Sequence, residues 1–288
     1  VPGDAAFKLY DTYGVPLDFI EDTIDSRKLT LDREGFEKAM EGQREKARAR
    51  SAFDGGRKDV EFAFDSDSAR EALRLAGDEF EGYTDTTVHG VPVLALFDES
   101  RRQVNDLATG HAGYAALSRT PFYLEAGGQV SDSGRIFTQN GETEAVVEGI
   151  VRIAPGLPRA HRVRVTRGTL RHRMLVTTEV ARELREATRR NHTATHLLHA
   201  ALRQVLGTHV KQAGSLVAPD RLRFDFVHFS AVTRDQQLEI ERIVNEQVLK
   251  NTPVSTEVKA TQEAIAGGAM ALFGEKYGDK VRVVSVAG

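Results

Sequence analysis

The sequence predicts an α+β protein in three parts: an N-terminal helical segment, a small β-barrel domain, and an α+β core with a long His-bearing helix. Three observations predict it. Apolar residues recur at helical spacing from Asp4 to about Arg50, short β runs separated by turn residues fill Val60 to Val176, and helices alternate with strands from Thr178 onward. The 288 residues suit about two domains by length and can bury more than one modest core.

In the first part Phe7, Leu9, Tyr10 and Tyr13 precede Gly14, and Pro16 opens a second helix. Asp32 caps a third, which turns Phe36, Met40 and Ala47 inward and Arg44, Glu45, Lys46, Arg48 and Arg50 outward. Asp54 to Lys58, with its paired Gly, reads as a linker. The second part carries β runs at Val91 to Phe97, Gly113 to Leu117, Gly134 to Phe137, Ala145 to Ile153 and Arg162 to Val165, interrupted by one helix, Ser68 to Leu75. Short strands at this spacing with few polar turns favour a small closed barrel. Within this part Glu125 to Gln129 places Gly127 and Gly128 side by side: a tight turn needing φ > 0, or a loop past which a ligand backbone travels closely. In the third part Thr178 caps a helix that runs through Leu184, His192, His196 and Leu202 to a stop at Gly207. Leu222, Phe224 and Phe226 alternate on one strand face, a second amphipathic helix carries Leu238 to Leu249, and strands near Val254 to Val258 and Val281 to Val286 complete the layer.

The charge balance is near neutral, 39 Lys+Arg against 42 Asp+Glu, with 40% hydrophobic residues, as in a soluble globular protein. No apolar run is long enough to span a bilayer, and the start lacks the basic and apolar regions of a signal peptide, so a cytoplasmic protein is expected. Beginning without Met and ending just after an apolar run, the sequence reads as a piece of something longer. The absence of Cys excludes a disulfide framework, a cysteine nucleophile and a thiolate zinc site within these residues. Charge is uneven along the chain: from Arg159 to Arg190 there are ten Arg and three Glu, 10 − 3 = +7, with no Lys or Asp. Such a stretch can neutralise the phosphates of a polyanion, Arg189 and Arg190 included, or can form a solvated face balanced by Glu183 and Glu186.

The chemistry concentrates in Arg190 to His199. His192 and His196 are four apart, so both imidazoles project from one helix face and can share a metal ion. The spacing alone favours a pair satisfied by hydrogen bonds. A metalloprotease helix needs Glu directly after its first His, and Thr193 stands there. His199 suits a core role or a place behind the ligands better than a third ligand.

The run Asn191 to Arg203 resembles the editing-domain signature of the alanyl-tRNA synthetase family. Val210 to Ser215, Arg221 to Phe226 and Gly268 to Asp279 resemble the same family, as do Thr120 to Gln129 and Phe7 to Asp18, so the resemblance covers essentially the whole chain in the family's order. It implies that residues 1–56 are the C-terminal part of a helical tRNA-recognition region, 57–177 a β-barrel domain, and 178–288 an α+β editing core. A domain that activates alanine with ATP would lie outside this sequence. The implied activity is hydrolysis of Ser-tRNA(Ala) and Gly-tRNA(Ala), with mischarged tRNA(Ala) as partner and neither DNA nor membrane.

The same resemblance implies zinc held by His192 and His196 together with a Cys and a His from a Cys-Gly-Gly-Thr-His segment expected after Val286. Thr195 and Gln212 match positions that line the editing pocket; their plain readings are a helix-surface hydroxyl and a strand amide. Gly127, Gly128, Gln129, Arg189 and Arg190 are the expected substrate and tRNA contacts. This reading needs both imidazoles to open on a cleft that admits an aminoacylated RNA end. Two other assignments stand beside it, a tRNA-binding module without turnover and a freestanding trans-editing deacylase, and the N-terminal motif weighs against the second. A generic metallohydrolase is weakened by the missing general base.

Overall fold

The computed structural model describes residues 1–13, 20, 24, 29–42, 61–269 and 278–286. The helix expected to open at Pro16, the outward charges from Arg44 to Arg50, inward Ala47, the linker at Asp54 to Lys58 and most of the Gly268 to Asp279 motif lie outside the described residues. The fold is α+β with a closed barrel, as its sequence predicts. The chain divides into two compact units, one made of Val1–Leu124 and Asp132–Val180, the other of Glu125–Ser131 and Ala181–Gly288.

In the first unit, helix α1 (Gly3–Tyr13) and the helical residues 33–42 enclose a small core of Ala6, Ile20, Ile24 and Phe36. Asp32 caps the second of these, its carboxylate accepting from the Gly35 amide at 2.9 Å. Helix α2 (Asp67–Ala76) starts at Ser66, whose hydroxyl accepts from the Ala69 amide.

Six antiparallel strands close the barrel: β1 (Thr87–Asp98), β2 (Ala112–Leu117), β3 (Gly134–Phe137), β4 (Glu144–Arg152), β5 (Arg159–Arg167) and β6 (Leu175–Val180). Their order around the wall is β6-β3-β4-β5-β2-β1 and back to β6. Strand β6 was not legible in the sequence, where Thr178 and Glu179 look like a helix start. The structure places Thr178 fully buried in the wall, opposite Ile136 on one side and Val88 on the other, with its hydroxyl donating to the Val88 carbonyl at 3.3 Å. Closure decides the matter: without β6 both β1 and β3 would present unpaired edges.

Alternation fills the interior. On β5, Val163 and Val165 point in while Arg162, Arg164 and Thr166 face water. On β1 a register shift between Val93 and Ala95 exchanges the faces, so Val91, Val93 and Leu96 share the barrel core while Ala95 and Phe97 serve an outer core with Phe62 and Leu73 of α2.

In the second unit, helix α3 (Arg182–Leu206) packs on the hairpin of β7 (Lys211–Val217) and β8 (Leu222–Val227) and on helix α4 (Arg234–Lys250). Their shared core is Ala201, Leu202, Leu206, Val210, Ile240 and Ile243, with Phe224 and Phe226 against it. Strands β9 (Val254–Ala260) and β10 (Lys280–Val286) form a second hairpin carrying α5 (Thr261–Ala266). The Gly127-Gly128 loop, which falls between barrel strands in sequence, clusters with this unit.

Candidate functional site

Helix α3 sorts its side chains by column. Thr188, Thr195, His199, Leu202 and Leu206 are buried, at spacings of seven, four, three and four residues. His192 and His196 each stand three residues before a buried position, about 60° round the helix, which puts them on its flank. Both are exposed. The inward column is taken by the threonines and His199, so the described residues leave the pair on an open flank, and the cleft this reading needs calls for residues beyond those described.

The two rings do come together, with centroids 5.0 Å apart and planes at 32°. Desolvation holds His192 below the ordinary histidine range, and it does the same for His196, reinforced by the charges of His192 and His199. Water reaches both residues, and the net direction is towards neutral imidazole, the form a metal accepts. Among the described residues no group of three or more His, Cys, Asp or Glu converges on a metal position. The pair thus fits two places of a four-coordinate zinc, and the residues described supply no others.

Thr195 is not a surface hydroxyl. It is 5% exposed and its Oγ1 donates to the Asn191 carbonyl at 2.8 Å. Gln212 is half-buried on β7, in register with Phe226 beside a bulge, and its amide makes no side-chain hydrogen bond to a described residue. His199 belongs to the core: its ring lies 5.0 Å from Phe224, and burial lowers its pKa. Sequence reasoning missed Asn191, whose amide donates to the carbonyls of Ala218 at 2.7 Å and Pro219 at 3.3 Å and so ties α3 to the turn between β7 and β8. An Asn within a helical run of better helix formers is the available signal.

Gly127 and Gly128 form the tight turn, with φ of +59° and +82° and paired hydrogen bonds between Ala126 and Gln129. The close backbone approach also occurs, but its partner is β7. The Gly128 carbonyl accepts from the Val217 amide at 2.8 Å, and a Cβ on Gly128 would lie 2.4 Å from the Ser215 oxygen. Gln129 forms a parallel bridge to Val217 in the same contact.

Four arginines of the Arg-rich stretch pair with three acids outside it. Arg162 and Arg164 share Glu148, Arg167 pairs with Glu144, and Arg159 pairs with Asp78 while lying 5.1 Å from the centre of the Phe80 ring. Arg189 pairs with Glu186 at 2.9 Å. Arg171, Arg173, Arg182 and Arg190 are exposed and none has an acidic partner among the described residues.

Residues 1–184 match the family described as tRNA synthetases class II (A). The whole chain aligns with alanine–tRNA ligases: 45% identical to that of Solibacter usitatus over 293 residues, 45% to that of Nitratidesulfovibrio vulgaris, and 46% to that of Pseudomonas syringae pv. tomato. Each alignment covers 100% of this chain but only 32%, 32% and 31% of the respective relative, so the chain spans about a third of their length. It is a class II tRNA synthetase sequence, and it belongs to the alanyl-tRNA synthetase family.

Proposed function

We propose that this chain is the proofreading part of an alanyl-tRNA synthetase and hydrolyses the ester of Ser-tRNA(Ala) and Gly-tRNA(Ala). The observation that carries the reading is the His192–His196 pair, two imidazoles side by side and biased towards neutral, on a helix of a chain whose relatives are alanine–tRNA ligases. The physical need is clear: a pocket that admits the alanine methyl cannot exclude Gly by size and rejects the added hydroxyl of Ser only modestly, so a second, hydrolytic sieve is required.

In the reaction, water oxygen bonds to the acyl carbon, the acyl–oxygen bond to the terminal ribose breaks, and the ribose oxygen regains a proton. His192 and His196 would hold a zinc ion, which supplies positive charge to polarise the ester or to acidify water. Thr195 fixes the turn between them through its bond to Asn191. The Gln212 amide, with donor and acceptor both open, suits a ribose hydroxyl or the amino group of the substrate. Arg189 and Arg190 face solvent where phosphates can approach. Aminoacylation with ATP, and a cytoplasmic location, go with the whole protein in this reading.

The test is release of serine from Ser-tRNA(Ala) by the full-length protein. Replacing His192→Ala and His196→Ala together should reduce release to the uncatalysed rate while binding of tRNA persists. Unchanged release overturns the assignment. A second reading, an RNA-binding module without turnover, draws support from the exposure of both rings and of Arg171, Arg173, Arg182 and Arg190. It requires salt-sensitive RNA binding with no serine released.

A further inference from the structure

Two histidines away from the α3 pair meet at one end of the β7–β8 hairpin. His209 stands two residues before β7 and His228 directly follows β8, and the pairing of Lys211 with Val227 brings those chain ends together. Their rings stack, 5.0 Å between centroids and 19° between planes, with His209 Nε2 and His228 Nδ1 2.8 Å apart. Phe229 adds a third ring, 4.7 Å from His209 and 4.6 Å from His228. Ser230 Oγ lies 3.2 Å from His228 Nε2.

Phe229 is 76% exposed. A phenyl ring this open contributes little to the core and leaves ring surface facing water, the reverse of what folding alone favours. Its surroundings are those of a polar stacking surface. The rim consists of two imidazoles and a hydroxyl with exposed Lys211 nearby, and no carboxylate among the described residues pairs with either imidazole. An unpaired base suits these features: its π face can lie on the ring, and its edge can exchange hydrogen bonds with imidazole or hydroxyl.

We propose that Phe229, His209 and His228 form a stacking site for an unpaired nucleobase of RNA. The inference rests on the reading above that the partner is an RNA, and it places a single-stranded segment rather than a helical one against this end of the hairpin. Stacking is sequence-tolerant, so the site grips without specifying which base it holds.

The experiment uses the full-length protein and a single-stranded hexaribonucleotide carrying one 2-aminopurine, whose fluorescence is quenched on stacking. Wild type and Phe229→Tyr should quench the probe, whereas Phe229→Ala should bind it about five- to a hundredfold more weakly and without quenching. Serine release measured in parallel should show Phe229→Ala raising KM far more than it lowers kcat. Quenching by Phe229→Ala equal to wild type, or no quenching by wild type, overturns the site. A change confined to the sedimentation of Phe229→Ala assigns the rings to a protein contact and also overturns it. Wild type that quenches the probe but releases no serine removes the hydrolytic reading and leaves the stacking site standing.

Discussion

At Gly128 the backbone has φ of +82°, and a methyl on its Cα would stand 2.4 Å from the Ser215 carbonyl oxygen. Gly127 shares the positive φ, +59°, but a Cβ there meets nothing within 4 Å. The two substitutions therefore separate conformational cost from contact cost. Gly127→Ala should destabilise by about 1 kcal/mol, the left-handed penalty alone, and Gly128→Ala by at least about twice that, because a strand carbonyl cannot yield as a flexible side chain does. Thermal melts of the two variants check this, and equal losses would mean that the approach to β7 is slack. The sequence disclosed the turn, since adjacent glycines ask for positive φ. It did not disclose β7 as the neighbour, since nothing local to residues 125–129 refers to Ser215. His161 was silent for a similar reason. It is fully buried in the barrel, with Nδ1 2.9 Å from the Ala115 carbonyl and Nε2 2.7 Å from the Thr120 hydroxyl, which also accepts from the Phe122 amide. These partners fit a neutral ring that donates from Nδ1 and accepts at Nε2. Burial pushes its pKa from 6.5 down to about 4, against the opposing bond to Ala115. A depressed folded-state pKa means that the unfolded chain takes up the proton first as pH falls. Stability contributed by this ring is thus complete above about pH 6.5 and lost progressively down to about 4, a swing of roughly 3 kcal/mol. Urea titrations between pH 7 and 4 should show a shallower decline in His161→Gln, which cannot titrate there; parallel declines would remove His161 from the account.

Among the elements, the ones read wrongly are those whose local pattern competes with a distant partner. Thr178-Glu179 resembles a helix start, yet Val176, Thr178 and Val180 are all buried and the strand pairs on both sides. Helix α3 instead begins at Arg182, with Ala181 before it and no side-chain cap. Leu184, part of the apolar pattern read for this helix, is exposed, and the buried column starts one position later, at Arg185. Elements with self-contained signals were legible. Strand β3 has the limits read from sequence, and α4 was read from its apolar spacing, though not its start: the structure opens it with a capping box in which Thr233 accepts from the Gln236 amide while the Gln236 side chain accepts from the Thr233 amide. Thr233→Ala should cost about 1 kcal/mol, and Thr233→Ser should restore most of it. Because α4 buries Ile240 and Ile243 against α3, the loss should appear in unfolding of the second unit as a whole. A melt unchanged by Thr233→Ala would show that packing alone fixes the start of the helix.

For the whole molecule, net charge hides the surface that RNA would meet. The sequence reading balanced the Arg-rich stretch only against its own Glu residues, and the barrel brings in Glu144 and Glu148 from the neighbouring strand β4 and Asp78 from 81 residues away. Pairing across a sheet cannot be seen in a running count of charges, so the +7 overstates what is available. The arginines then fall into two sets with different expected behaviour. Arg164 already donates to Glu148 at 2.9 Å, and a phosphate would have to replace that carboxylate. Arg182 and Arg190 on α3 are exposed and have no acidic partner among the described residues. Each phosphate neutralised releases counterions, and binding weakens with salt by a slope of about 0.7 to 0.9 per contact. Binding of tRNA(Ala) by the full-length protein, measured across salt concentrations, should lose close to one such increment in Arg190→Ala, and likewise in Arg182→Ala. Arg164→Ala should leave the slope nearly unchanged, since its guanidinium is already engaged by Glu148, which Arg162 continues to hold, and so neutralises no phosphate. If instead Arg164→Ala flattens the salt dependence and Arg190→Ala does not, the RNA contacts this chain through the barrel wall rather than through α3, and the assignment of Arg189 and Arg190 as substrate contacts fails with it.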